Sequence, residues 1–131
     1  MLVVSNSSPL IALAAIERLD LLSGLFSSVV VPPAVASEIS RSVPTRPTWL
    51  SLQPLGQALP TAVLRPALGS GEREAIALAL ELHADQLILD DLPARSVARA
   101  LGLTVIGTLG ILLAAKRRAS WPAFVQNWTS S

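Results

Sequence analysis

The residues of this chain that could do chemistry are its carboxylates. Five of the nine acidic residues, Glu38, Glu72, Glu74, Asp90 and Asp91, fall near junctions between apolar runs and helical patterns, as does the amide Asn6. In an open parallel α/β sheet, ligands bind beyond the carboxyl ends of the strands. Residues at such junctions can therefore point towards one sheet edge. Gathered carboxylates repel one another unless a cation neutralises them or one takes up a proton. With no cysteine and one histidine in the chain, a hard oxygen set of this kind suits Mg²⁺ or Mn²⁺ far better than zinc. Such ions hydrolyse phosphodiesters by activating water and stabilising charge on phosphoryl oxygens.

The elements that must position these groups alternate between strand and helix. Leu2, Val3 and Val4 form a short buried run that stops at Ser5-Asn6-Ser7-Ser8-Pro9, where Ser8 is a good N-cap and Pro9 a good first helical residue. The helix that follows is expected to turn Leu10, Ile11, Leu13, Ala14 and Ile16 inward. Val29 to Val31 predicts a second strand, and Ala34 to Ser40 a helix entered through proline and carrying Glu38. The proline-rich stretch from Ser42 to Pro66 holds a short edge strand around Trp49, Leu50 and Leu52, and a helical turn at Thr61 to Leu64. Ser70 to Leu82 has the clearest helical pattern, with Ser70 as its cap and Glu72 and Glu74 in the opening turns. Leu87 to Leu89 predicts a strand ending in Asp90 and Asp91. A helix over Leu92 to Leu101, a strand over Thr104 to Ile106 and a helix over Gly110 to Arg117 complete the chain. This alternation implies an α/β fold with a mainly parallel sheet, in which the strand ending at Leu89 lies beside the strand beginning at Leu2.

The length fits one domain over residues 1–131, and 51% hydrophobic residues supply a core that covers both faces of a sheet. A formal net charge of +1 excludes strong global attraction to nucleic acid, so any RNA contact must be local. The mean hydropathy of +0.56 raises the question of a membrane span. The long uncharged runs contain prolines or glycines and fall short of the roughly 20 apolar residues a span needs, so none is expected. The start lacks the basic residues of a secretion signal, and the absence of cysteine is compatible with the cytoplasm.

Four stretches carry a family resemblance: VVSNSSPLIAL, VVVPPAVASEI, GEREAIALALEL and LILDDLPARSVARALGLTVIG. Together they resemble the PIN-domain family, and within it the VapC-like toxin ribonucleases. The resemblance implies a PIN-like three-layer fold with a parallel sheet of about five strands in the order 3-2-1-4-5, flanked by helices. It also implies Mg²⁺- or Mn²⁺-dependent cleavage of RNA, a cognate antitoxin protein as partner and a homodimer. By position, Glu38, Glu74 and Asp91 match the family's metal ligands, with Asn6 and Asp90 completing the catalytic set. Glu74 is preferred to Glu72 because Ala75 and Ile76 follow it. Asn6, followed by the hydroxyl residue Ser7, stands where the family usually has aspartate. A neutral oxygen holds a hard dication more weakly than a charged one. This departure motivates the rival reading of a catalytically impaired RNA- or protein-binding module.

Simpler roles compete for several of these residues. Asp91 is a favoured residue for capping the helix at Pro93, Glu72 suits a helix dipole, and Asn6 suits a turn. Arg95 and Arg99, four apart on one helix, are candidates for RNA phosphates together with Ser7, and Arg65 and Arg73 could extend the patch. Lys116, Arg117 and Arg118 suit the end of a helix. His83 receives no role. Trp121, Phe124 and Trp128 recur at helical spacing and suit packing onto the domain or a partner contact.

Overall fold

A computed structural model describes residues 1–118. Five short strands, β1 (Val3–Ser5), β2 (Val29–Val31), β3 (Leu50–Leu52), β4 (Gln86–Ile88) and β5 (Val105–Ile106), form one sheet in the order β3-β2-β1-β4-β5. All four pairings are parallel, and β1 is central, with Val3, Val4 and Ser5 in register with Gln86, Leu87 and Ile88 of β4. The expected neighbourhood of the first and fourth strands is therefore present.

The valine runs form strands because branched side chains fit a pleated surface covered on both sides. Every residue of β1 and β2 is buried. Six helices, α1 (Ser7–Ala15), α2 (Leu21–Leu25), α3 (Pro33–Glu38), α4 (Ser70–Leu82), α5 (Leu92–Ala100) and α6 (Thr108–Arg117), supply the cover, with a 3₁₀ turn at Thr61–Val63. The core is continuous: Val3, Leu10, Leu13, Leu22, Ile76, Leu78, Leu87, Ile88 and Ile111 are all fully buried within one cluster.

Local expectations fail in several places, among them the start of α6, which lies at Thr108 and not at Gly110. The first helix begins at Ser7 with Asn6 as its cap, so Ser8 lies inside the helix and is exposed. Its inward face is narrower than expected, because Leu10 and Leu13 are buried while Ile11 and Ile16 reach solvent. The long helix is capped by Gly69, one residue before Ser70. Helix α2 has no counterpart in the sequence reading, since its five residues are too few to display a period.

Among the described residues, no helix is long and apolar enough to cross a membrane. Trp121, Phe124 and Trp128 lie outside the described residues.

Candidate metal centre

Asn6 directly follows the central strand and is tied to its neighbour, its backbone N–H donating to the Ile88 carbonyl at 2.9 Å. Its side chain has 0% relative exposure. The Asn6 Nδ2 donates to Glu72 Oε2 at 3.3 Å, whereas Oδ1 is buried and has no donor. An unmet buried acceptor of this type costs about 1–3 kcal/mol.

Two carboxylates and a hydroxyl surround this amide. Glu38, the last residue of α3, accepts the Ser7 Oγ–H at 2.8 Å on Oε1. Glu72 sits at the third position of α4 and accepts the Gly69 amide on Oε1 at 2.9 Å, which leaves Oε2 facing Asn6. This is the backbone half of a capping box, and with glycine at the cap the hydroxyl half does not exist.

Gly71 lies beneath them. A Cβ at that position would collide with Glu38 Oε1 and stand 3.1 Å from Asn6 Oδ1. The bare backbone of α4 thus leaves room for the Glu38 carboxylate to close over the helix's first turn, next to the orphaned oxygen.

The other three carboxylates are engaged at helix amino termini. Glu74 Oε1 accepts the Ala34 amide of α3 at 2.9 Å. Asp91 caps α5, its Oδ2 accepting from Ala94 N at 3.0 Å. Asp90 Oδ1 accepts the Thr108 amide of α6 at 2.7 Å, while Oδ2 takes the Thr108 hydroxyl. The structure therefore brings Glu38 and Glu72 to Asn6, and puts Glu74, Asp90 and Asp91 where helix dipoles favour negative charge.

Among the basic residues, Arg99 is exposed on α5 and Arg95 is half-buried against Gly107. Arg73 is turned back to its own region, donating to the Arg65 carbonyl at 2.8 Å. His83 ends α4 in the left-handed conformation, with φ of 50°. Nothing in the sequence singled out Gly71 or Thr108. One is a glycine beside charged groups, and the other is a hydroxyl residue opening a helix after a strand.

Comparisons with known proteins identify the family and the fold. The model of a family described as DUF3368, PIN domain, matches residues 2–126. The chain belongs to the PIN-domain family. A PilT N-terminus domain protein, SSO1118, from the hyperthermophilic archaeon Sulfolobus solfataricus P2 has a similar structure, with a TM-score of 0.67 at 21% identity. The match covers 88% of this chain and 93% of that one. At that identity the likeness is one of fold, and it agrees with the five-strand parallel order seen here. No curated protein matches the chain.

PIN domains are typically nucleases that use divalent metals. Among the described residues, no three acidic, histidine or cysteine side chains converge into a ready-made cage. Mg²⁺ does not require one, since it keeps several waters and is usually bound through one or two carboxylates together with substrate phosphates. The Asn6 Oδ1 without a donor and the two carboxylates beside it are a donor set of that kind.

Proposed function

We propose that this PIN domain is a divalent-cation-dependent ribonuclease, with Mg²⁺ or Mn²⁺ held by Asn6, Glu38 and Glu72. The observation that carries this reading is the Asn6 Oδ1, fully buried without a donor beside two carboxylates at the carboxyl end of the central strand. When bound, the ion supplies an activated water and charge stabilisation at the phosphoryl oxygens.

The remaining work belongs to the chain's own side chains. Ser7 orients Glu38 through its hydroxyl, and Asn6 orients Glu72 through Nδ2. Gly71, which has no Cβ, leaves the place that the Glu38 carboxylate takes beside Asn6. Glu74 and Asp91, which the family resemblance puts in the metal set, act in this reading as anchors of α3 and α5, and Asp90 as the anchor of α6. Toxin-type activity, a protein antitoxin and a homodimer accompany the nuclease reading and follow from the family resemblance, while a cytoplasmic location accords with the absence of cysteine.

A second reading, a PIN module that binds without cleaving, is favoured by the neutral Asn6 and by the engagement of both aspartates at helix ends. The test is cleavage of single-stranded RNA in Mn²⁺ and in EDTA, alongside a thermal melt under the same two conditions. Cleavage abolished by EDTA supports the nuclease. A Mn²⁺-dependent rise in melting temperature without cleavage favours the binding module, and no response to Mn²⁺ in either assay refutes the metal centre.

A further inference from the structure

Beyond the carboxyl ends of β4 and β5, one strand away from Asn6, runs a groove of about 360 Å³. Its walls are apolar, formed by Ile106, Leu109 and Leu113 among others, and its polar end holds Asp90 and Arg95. Leu109 is 70% exposed and Leu113 41%, and they lie at positions i and i+4 of α6, so they form one exposed stripe.

Arg95 is the unusual member. Its guanidinium lies against Gly107, where a Cβ would stand 2.8 Å from Nη1. The Arg95 Nε is buried without an acceptor, and no hydrogen bond or ion pair joins the side chain to another described residue. The Asp90 carboxylate is held by the Thr108 amide and hydroxyl, and no hydrogen bond or ion pair joins it to Arg95. A half-buried guanidinium with spare donors matches the oxygens of a phosphodiester, which a planar fork can grip in pairs.

We propose that this groove is a nucleotide subsite, in which Arg95 holds a backbone phosphate of single-stranded RNA and the Leu109–Leu113 stripe carries the adjacent base or ribose. A base has an apolar face at every position, so such a wall binds without regard to sequence. The proposal deepens the ribonuclease reading, but its test does not require a working metal centre.

The experiment is fluorescence anisotropy with a short 2′-O-methyl oligoribonucleotide in EDTA, as a function of salt. The expected loss for Arg95→Gln is about tenfold in affinity, with a salt slope shallower by about 0.7, the share of one phosphate contact on a single strand. Arg95→Lys should recover the slope but only part of the affinity, because an ammonium lacks the fork. Leu109→Ser, at an exposed position that folding does not depend on, should weaken binding without changing the slope.

If Arg95→Gln lowers the melting temperature while affinity and slope stay at wild-type values, Arg95 is a structural companion of Asp90 and the subsite is overturned. Wild-type protein that fails to bind the oligonucleotide also overturns it, and an apolar peptide that binds there instead assigns the groove to a protein partner. Arg95-dependent binding without Mn²⁺-dependent cleavage keeps the subsite and removes the nuclease. Cleavage with an Arg95-independent KM and salt slope does the reverse.

Discussion

Asn6→Asp is the substitution on which the metal centre stands or falls. In the native chain, Asn6 Nδ2 donates to Glu72 Oε2 at 3.3 Å. The substitution removes that donor and sets a second carboxylate at the same place. A hydrogen bond to a charged group contributes about 1.5–3 kcal/mol. Two like charges about 4 Å apart repel by about 1 kcal/mol in water and about 4 kcal/mol at an effective dielectric constant of 20. Glu72 is half-buried and can swing away, so a net destabilisation of about 2–3 kcal/mol is expected in the metal-free protein. For a chain of this size that corresponds to a melting temperature lower by roughly 10 °C. The sign reverses when a dication is added, because each carboxylate strengthens a hard-cation site. Native-state binding stabilises by about 2.7 kcal/mol at a hundredfold excess over Kd, so the variant should gain more from a given Mn²⁺ concentration than the wild type. Differential scanning fluorimetry in EDTA and across a Mn²⁺ series reads both effects. If the EDTA melt and the Mn²⁺ response both match wild type, Asn6 faces no charge and no cation, and the site as argued does not exist.

Four further outcomes follow from the same contacts. Gly71→Ala should push the Glu38 carboxylate off the first turn of α4 and lower Mn²⁺ affinity by about tenfold, with a modest change in the EDTA melt because Glu38 is exposed and can move; an unchanged titration would show that Glu38 does not ligate. Glu72→Gln should reduce the Mn²⁺-induced rise in melting temperature, whereas Glu74→Gln should leave it intact; the opposite pattern would restore Glu74 as the ligand. Asp91→Ala should cost about 1 kcal/mol as the loss of a helix cap, with Mn²⁺ affinity per folded molecule preserved, as measured by urea denaturation and titration. Thr108→Val should destabilise by about 1–2 kcal/mol through the unmet Asp90 oxygen, and a denaturation midpoint equal to wild type would argue against that anchor.

The sheet was legible because its signals are redundant. Three valines in a row, a proline pair and a helix pattern on either side leave few alternatives for β2, and the same holds for Leu2 to Val4. What escaped was helix phase. Successive residues on a helix are 100° apart, so Glu72 and Glu74 point in directions about 200° apart. Which one faces the centre depends on where the cap falls, and it falls at Gly69, not at Ser70. In that frame Glu72 folds back onto the cap amide and meets Asn6, while Glu74 turns towards the start of α3. The residues after Glu74 describe the buried face of the helix and say nothing about its first turn. Helix α2 escaped for a different reason: Leu21, Leu22 and Leu25 around Gly24 are too short a run to establish a period, and Asp20 at its N-cap makes no side-chain capping bond.

The two aspartates raise a more general difficulty. At the carboxyl edge of a parallel sheet each strand feeds towards a helix, and each helix start presents unpaired amides and a positive dipole end. A dication bound at that edge asks for the same residue types as those amides do. Counting acids near strand ends therefore does not separate metal ligands from helix anchors, and Glu74, Asp90 and Asp91 each accept a helix amide. The more informative group is one that no helix satisfies. Among the described residues, the buried side-chain acceptors without a donor are Asn6 Oδ1 and Gln86 Oε1. Gln86 opens β4 and so belongs to the opposite, amino edge of the sheet. That leaves Asn6 as the unmet acceptor at the edge where ligands bind. An amide oxygen buried with no donor beside two carboxylates gains nothing from the fold itself and gains directly from a cation.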